Sequence, residues 1–173
     1  MTIHAPLFIV LLPVSAALLC MLFSRIQKNL GSWIVIASIV GAFLSAVTSL
    51  QRVIADGGKA LHYWMGNWQP PLGIEFVIDP ISGALAVLIT FIALLGSLYS
   101  LPFVKEEGWL HIGGYYTLYG LMTVGMCGMV ITGDVFNLYV FLEVMSLSGY
   151  GLIAIGGKKS MLAAFRYLLI GTI

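Results

Sequence analysis

The sequence predicts an all-α integral membrane protein with five transmembrane helices, the start of a sixth, and a short β-hairpin outside the membrane. Of its 173 residues, 60% are hydrophobic and only 9% are charged, whereas about a quarter of the residues in a typical soluble domain are charged. The mean hydropathy is +1.03. The charged residues are clustered, and long stretches between the clusters carry none. Composition and charge spacing together predict a chain that crosses a lipid bilayer several times.

Charge and motif content exclude several other classes of function. The net charge of +1 offers no basic patch for nucleic acid. Two cysteines stand far apart, so they form neither a disulfide framework nor a spaced metal motif. The sequence contains no phosphate-binding loop, dinucleotide fingerprint, iron–sulfur spacing or haem-ligand pattern. We therefore expect no cofactor, no metal and no nucleic-acid partner for this chain.

Five apolar stretches are each long enough to cross about 30 Å of hydrocarbon as a helix, which takes roughly 20 residues. They predict helices at about 4–24, 30–53, 80–104, 112–132 and 134–156. Such continuous runs favour helices because a helix satisfies its backbone hydrogen bonds within the segment. A last apolar stretch, 160–173, is too short to span. We expect one membrane domain over 1–173, either as a fragment of a longer fold or with its last helix completed by a partner chain.

The basic residues predict the orientation of the helices. With the N-terminus outside, the inner loops carry five basic residues, namely Arg25, Lys28, Lys105, Lys158 and Lys159. The outer side then carries Arg52 and Lys59. Because inner loops are enriched in Lys and Arg, we predict that the N-terminus lies outside.

The longest loop, 55–79, predicts a short outer β-hairpin. Gly66-Asn67 and Pro70-Pro71 are turn signals, and residues 74–79 largely alternate in polarity, as a strand does. Asp79 is predicted to cap the third helix, with Pro80 in its first position. Contact with another subunit and a lid over the helix ends both remain open as roles for this loop.

Glu143 is the principal candidate site residue because it lies near the bilayer middle. A charged residue there costs roughly 2.5–3.5 kcal/mol on insertion scales, and an intramembrane acid is by default a functional hypothesis. We predict that it takes part in proton translocation; a neutral, hydrogen-bonded structural role is the alternative. Three hydroxyl residues share its helix face and are candidates to line the same path, unless they only pack between helices: Tyr139, Ser146 and Tyr150.

Two further charged residues have more than one interpretation. Asp134 precedes the fifth helix and is predicted to be its N-cap rather than a reacting group. Arg166 lies about one turn inside the sixth segment. It is a candidate charge partner for a carboxylate, and the alternative is that its long side chain reaches the inner membrane surface.

Three segments resemble a known family. Residues 133–144, GDVFNLYVFLEV, are similar to the fifth helix of antiporter-like membrane subunits, most of all the D subunit of Mrp-type Na⁺/H⁺ antiporters. Residues 163–171 resemble the start of the sixth helix there, and residues 73–83 the strand that enters the third helix. Related subunits occur in respiratory complex I and in membrane-bound hydrogenases. The resemblance implies that Glu143 matches the proton-pathway glutamate, which interacts with a lysine on the seventh helix, and that Arg166 stands where the family usually has a basic residue.

The resemblance also implies a function and partners. It predicts a proton-conducting subunit of a multisubunit Na⁺/H⁺ antiporter in a prokaryotic inner membrane, with other membrane subunits as partners and protons and Na⁺ as transported ions. The first alternative is an antiporter-like pumping subunit of a redox-driven complex of the membrane-bound hydrogenase or NADH dehydrogenase type, whose iron–sulfur clusters lie in other chains. The second is a structural membrane subunit. In none of these does the chain carry catalytic chemistry of its own.

Overall fold

The computed structural model describes residues 4–27, 30–68, 73–104 and 109–171. This part of the chain contains six α-helices and one two-stranded sheet. In order, the elements are α1 (Ala5–Ile26), α2 (Leu30–Ala55), β1 (Leu61–Trp64), β2 (Glu75–Ile78), α3 (Pro80–Val104), α4 (Trp109–Ile131), α5 (Val135–Ile155) and α6 (Lys158–Gly171).

The helices confirm the predicted fold class. Within the described residues, five helices are long and apolar enough to cross a membrane. The sixth, α6, has 14 residues and is too short to span. The helix bounds lie within three residues of the predicted ones. The largest difference is at α4, which begins at Trp109, three residues before the predicted start at residue 112. The prediction counted only the uninterrupted apolar stretch, whereas the helix also includes Trp109 and His111, which are residue types common at a membrane interface.

The bundle is built around α1, α2 and α4. Helix α1 packs against α2 and α4, α3 packs against α2 and α4, and α5 packs against α4 with α6 on its other side. Two clusters of buried apolar residues fill the interior, one around Ile9 and Ile131 near the hairpin and one around Ile39 and Tyr116 toward the opposite end. Helix α5 is therefore joined to the rest of the described bundle mainly through α4, and α6 packs on α5.

The predicted hairpin is present and is attached to the helices. Strands β1 and β2 pair antiparallel, from Leu61 opposite Ile78 to Trp64 opposite Glu75. Alternate residues of β2 are buried. The other edge of β2 reaches the connection between α4 and α5, where the Gly133 amide donates to the Glu75 carbonyl at 2.9 Å. The hairpin is thereby fixed to the residues that precede α5.

Both predicted helix caps are confirmed. The Ser82 amide donates to Asp79 Oδ1 at 2.6 Å, and the Asp79 amide donates back to Ser82 Oγ at 2.8 Å. The hydrogen bond from the Ser82 amide is the main reason that the pKa of Asp79 is lowered. At the start of α5, Asp134 accepts from the amides of Phe136 and Asn137 at 3.2 and 3.3 Å. The caps fix where α3 and α5 begin.

Candidate functional site: an intramembrane carboxylate on α5

Glu143 is half-buried in the first half of α5. The Tyr139 side chain, one turn earlier, lies beside its carboxyl group. Tyr139 is itself 60% exposed. The first turn of α5 is also open, with Val135 81% and Phe136 75% exposed. The carboxyl group and the Tyr139 side chain therefore lie along a face of α5 that the described helices leave largely uncovered.

Two glycines of α4 determine which way Glu143 faces. A Cβ on Gly125 would lie 2.6 Å from the Cβ of Met145, and a Cβ on Gly128 would overlap the ring of Phe141. Phe141 and Met145 are one turn apart and both face α4. Each residue of an α-helix is rotated by about 100° from the previous one. Glu143, midway between Phe141 and Met145, therefore faces away from α4.

The other predicted lining residues lie in different surroundings. Ser146 is half-buried. Tyr150 is 9% exposed; its ring packs edge-on against Tyr167 of α6, with 5.0 Å between centroids, and its hydroxyl lies close against Gly171. Helix α6 therefore covers the Tyr150 end of the predicted stripe and leaves the Tyr139 end open.

Arg166 is not brought to the carboxylate in the part of the chain that the structure describes. It is exposed on α6, next to Tyr167, and it forms no ion pair with Glu143 there. Tyr150, which contacts Tyr167, lies two turns from Glu143, about 10 Å along the helix axis. A charge pairing of Arg166 with a carboxylate stays a prediction.

A polar contact between α3 and α4 was missed by the sequence reasoning. The buried Tyr116 hydroxyl donates to the Ser97 carbonyl at 3.2 Å and lies 3.1 Å from Ser100 Oγ. The Tyr119 hydroxyl donates to the Ala93 carbonyl at 2.9 Å. The sequence feature that could have predicted this contact is a pair of serines three residues apart on α3, Ser97 and Ser100, and a pair of tyrosines with the same spacing on α4. These hydroxyls are satisfied by partners within the bundle, so they join helices rather than form a reactive site.

Polar groups also gather where α5 begins. The buried Asn137 donates through Nδ2 to Thr132 Oγ1 at 3.1 Å. A cavity of about 130 Å³ lies beside the Asp134 cap and is also lined by Thr132, Gly133, Val135 and Leu138. The Asp134 carboxylate accepts hydrogen bonds from two amides at the start of α5. Helix capping therefore explains why an acidic residue stands beside this cavity.

The outer hairpin carries the other titratable cluster. His62 Nδ1 lies 2.7 Å from Glu75 Oε1, and Trp64 Nε1 donates to the same oxygen at 3.0 Å. The hydrogen bond with His62 is the main reason that the pKa of Glu75 is lowered. Among the described residues, no three His, Cys, Asp or Glu side chains are grouped so as to hold a metal ion.

These features define a class of protein: a multi-pass membrane helix bundle with a carboxylate inside a spanning helix. No family model matches the chain. It is 40% identical over 172 residues to the N subunit of NADH-quinone oxidoreductase from Desulforudis audaxviator, covering 99% of this chain and 34% of that protein. It is 31% identical to the D subunit of a probable K⁺/H⁺ antiporter from Rhizobium meliloti, covering 96% of this chain and 31% of that protein. It is 29% identical to the D subunit of the Na⁺/H⁺ antiporter from Bacillus subtilis, covering 95% and 32%.

Two solved structures share the fold. One is the membrane-bound sulfane sulfur reductase, an archaeal respiratory membrane complex, with a TM-score of 0.88, 26% identity, and coverage of 98% of this chain and 34% of that chain. The other is the Mrp complex from a Dietzia species, with a TM-score of 0.78, 25% identity, and coverage of 98% and 31%. The resemblance to antiporter-like membrane subunits is thus confirmed over nearly the whole chain. The chain spans about a third of the length of these relatives.

Proposed function

We propose that this chain is a proton-conducting part of a multisubunit cation/proton antiporter, in which Glu143 carries protons across the membrane middle. The observation that supports this most directly is a carboxyl group, with the Tyr139 side chain beside it, on a largely uncovered face of an apolar spanning helix. An uncompensated carboxylate in hydrocarbon is costly, so a face of this kind needs a polar neighbour. Relatives named as Na⁺/H⁺ and K⁺/H⁺ antiporter subunits support the same proposal and indicate Na⁺ or K⁺ as the exchanged ion.

Glu143 is suited to proton exchange because a carboxyl group can bind and release a proton, and the hydroxyl groups on its side of α5 can donate and accept hydrogen bonds. Ser146 and Tyr150 are proposed to continue the polar path along the same side of α5.

The uncovered face of α5 is proposed to pack against a helix that carries a basic residue. The resemblance implies a lysine for this role. Arg166 is a second candidate, placed toward the end of the bundle where α6 begins. In this proposal residues 1–173 form one membrane domain that belongs to a longer antiporter-like fold, which the length of the relatives supports. Other membrane subunits complete the assembly.

The N-terminus is proposed to lie outside a prokaryotic inner membrane. In the fold, the ends of α1, α3 and α5 and the starts of α2, α4 and α6 lie at one end of the bundle. Five basic residues belong to this end and two to the hairpin end. The positive-inside rule places the end with five inside.

A redox-driven complex is the second candidate function. The 40% identity to a subunit named for NADH-quinone oxidoreductase favours it. In that case Glu143 would keep the same role, while electron transfer would take place in other subunits. A purely structural subunit is the third candidate. The free-energy cost of placing a carboxylate such as Glu143 inside the membrane argues against it.

Replacement of Glu143 by glutamine tests the proposal. Gln keeps the size and hydrogen bonding of the side chain but cannot release a proton, so we expect Glu143→Gln to abolish coupled transport while the subunit still assembles. The measurement is the Na⁺- or K⁺-induced change in ΔpH in inverted membrane vesicles, with assembly checked by co-purification. The matched control is Asp56→Asn, an exposed carboxylate beyond α2, which should leave transport unchanged.

Three outcomes separate the candidates. Loss of cation-induced ΔpH in Glu143→Gln supports the antiporter. Absence of such ΔpH in the wild type, with proton pumping that follows quinone reduction and is lost in the variant, supports the redox-driven complex. Normal transport in Glu143→Gln would refute a proton-carrying role and leave the structural interpretation.

A further inference from the structure

A cavity of about 320 Å³ lies at the end of the bundle opposite the hairpin. Three helices form it where α3 ends, α4 begins and α5 ends. Its walls are Phe103, Val104, His111, Tyr115, Ile155, Gly156 and Gly157. The volume falls in the range of small-molecule sites, about 300–1,000 Å³. The cavity is remote from Glu143 along α5, so it is a separate feature from the proposed proton site.

The lining has both apolar and polar parts. Phe103, Val104 and Ile155 present apolar surface, whereas His111 presents an imidazole. Tyr115 adds a ring with a polar tip, and it stacks on Tyr119 at 5.9 Å. A ligand that fits these walls has a polar group bonded to an apolar body.

The position of the cavity favours a lipid over a water-soluble ligand. It opens at the helix ends, where the hydrocarbon meets the polar headgroup region. On the α3 side, Phe103 of the wall pairs with Tyr99; both rings are exposed and their centroids lie 5.1 Å apart. Aromatic side chains of this kind are enriched at membrane interfaces. The exposed apolar side of α3 continues from this pair toward the membrane middle and provides a surface for an acyl chain.

Charge at this end favours an anionic headgroup. The sequence assigns to this end Arg25, Lys28, Lys105, Lys158 and Lys159 against Glu106 and Glu107. The hairpin end has Arg52 and Lys59 against Asp56, Glu75, Asp79 and Asp134. The cavity end is therefore net positive and the hairpin end net negative. Lys158 and Lys159 follow directly after Gly157 of the cavity wall.

We propose that this cavity binds the headgroup of an anionic phospholipid, with the acyl chains along α3. Basic pockets between transmembrane helices are a general means of holding such headgroups. His111 of the wall and the net positive charge that the sequence assigns to this end supply the attraction, and the apolar walls hold the glycerol end of the lipid. The inference does not depend on the proposed function, because it uses neither Glu143 nor the transported ion.

The test measures which phospholipid the purified native assembly retains. The assembly is placed in nanodiscs containing phosphatidylglycerol, phosphatidylcholine, or phosphatidylcholine with added inorganic phosphate. Retained lipid is counted by native mass spectrometry, and thermal unfolding is followed in each. We expect preferential retention of phosphatidylglycerol and a higher unfolding temperature with it than in the other two conditions.

Two variants separate a specific site from general attraction. Val104→Trp fills the cavity without changing charge and should remove the retained lipid. Lys158→Gln with Lys159→Gln should weaken phosphatidylglycerol binding by about fivefold for each lysine. The matched control, Lys59→Gln at the hairpin end, should leave binding unchanged.

Several results would overturn the proposal. Equal retention of the two phospholipids would exclude a headgroup-selective site. Wild-type retention in Val104→Trp would show that the lipid binds elsewhere. Stabilisation by inorganic phosphate alone, matching that by phosphatidylglycerol, would indicate a free-phosphate site instead.

Discussion

The Tyr139 hydroxyl lies beside the Glu143 carboxyl on a helix face that the described helices leave largely uncovered. A tyrosine one turn away approaches the carboxylate without any help from tertiary packing, because residues four apart lie side by side on a helix. Tyr139 therefore supplies polar stabilisation before any further helix covers this face.

Removal of the Tyr139 hydroxyl should slow transport without stopping it. Tyr139→Phe keeps the ring but removes the hydroxyl beside the Glu143 carboxyl. We expect the transport rate in vesicles to fall below that of the wild type and to stay measurable, whereas Glu143→Gln should show no transport. Tyr99→Phe, at an exposed tyrosine on α3, is the control. A wild-type rate in Tyr139→Phe would show that the hydroxyl has no part in the path.

Local features were predictable at the residue scale, and contacts between distant segments were not. The Asp79 and Asp134 caps follow from spacing within a few residues, and the structure has both. The burial of Tyr150 depends on where α6 packs, which no residue near Tyr150 specifies. The Tyr116–Ser100 contact likewise needs the register between α3 and α4. The sequence therefore predicted which residues share a face, but not which helix covers it.

At the scale of elements, α5 is positioned from two directions. The glycines of α4 let the two helices approach closely on one side. At its start, Phe76 of β2 is buried and lies 6.4 Å from the ring of Phe141, and β2 also forms a bridge to Thr132. The alternation of residues 74–79 predicted the strand, but not this attachment, because the partner residues are more than fifty positions away in the chain. The hairpin thus helps to hold the helix that carries Glu143.

A methyl group at Gly128 should displace α5. A Cβ there overlaps the Phe141 ring, and overpacking of a well-packed interior costs about 1–3 kcal/mol. We expect Gly128→Ala to lower the unfolding temperature of the purified protein and to reduce transport. The control is Gly149→Ala within α5, where a Cβ meets no atom within 4 Å. There we expect unchanged or slightly higher stability, since Ala is favoured over Gly in helices by about 0.8–1.0 kcal/mol. Equal effects of the two substitutions would argue against a close contact at Gly128.

For the whole molecule, the two ends of the bundle differ in both structure and charge. The hairpin end is covered by β1 and β2, and most of the acidic residues lie there. The opposite end holds the cavity of about 320 Å³, and the sequence assigns most of the basic residues to it. Length and hydropathy alone predicted the spans, since each helix needs only its own residues to satisfy its backbone. Each end also has an exposed position, Asp56 at the hairpin end and Gln27 at the opposite end, so the orientation in the membrane can be measured by labelling.

Cysteine labelling should show the hairpin end outside. Cys20 and Cys127 are free and buried, so both are first replaced by serine. Single cysteines are then introduced as Asp56→Cys, beyond α2, and Gln27→Cys, beyond α1; both positions are exposed. A membrane-impermeant maleimide added to intact cells should label Asp56→Cys, because the positive-inside rule places the basic end in the cytoplasm. Gln27→Cys should react only after the membrane is permeabilised. The reverse pattern would invert the orientation and place the hairpin, together with the start of α5, on the cytoplasmic side.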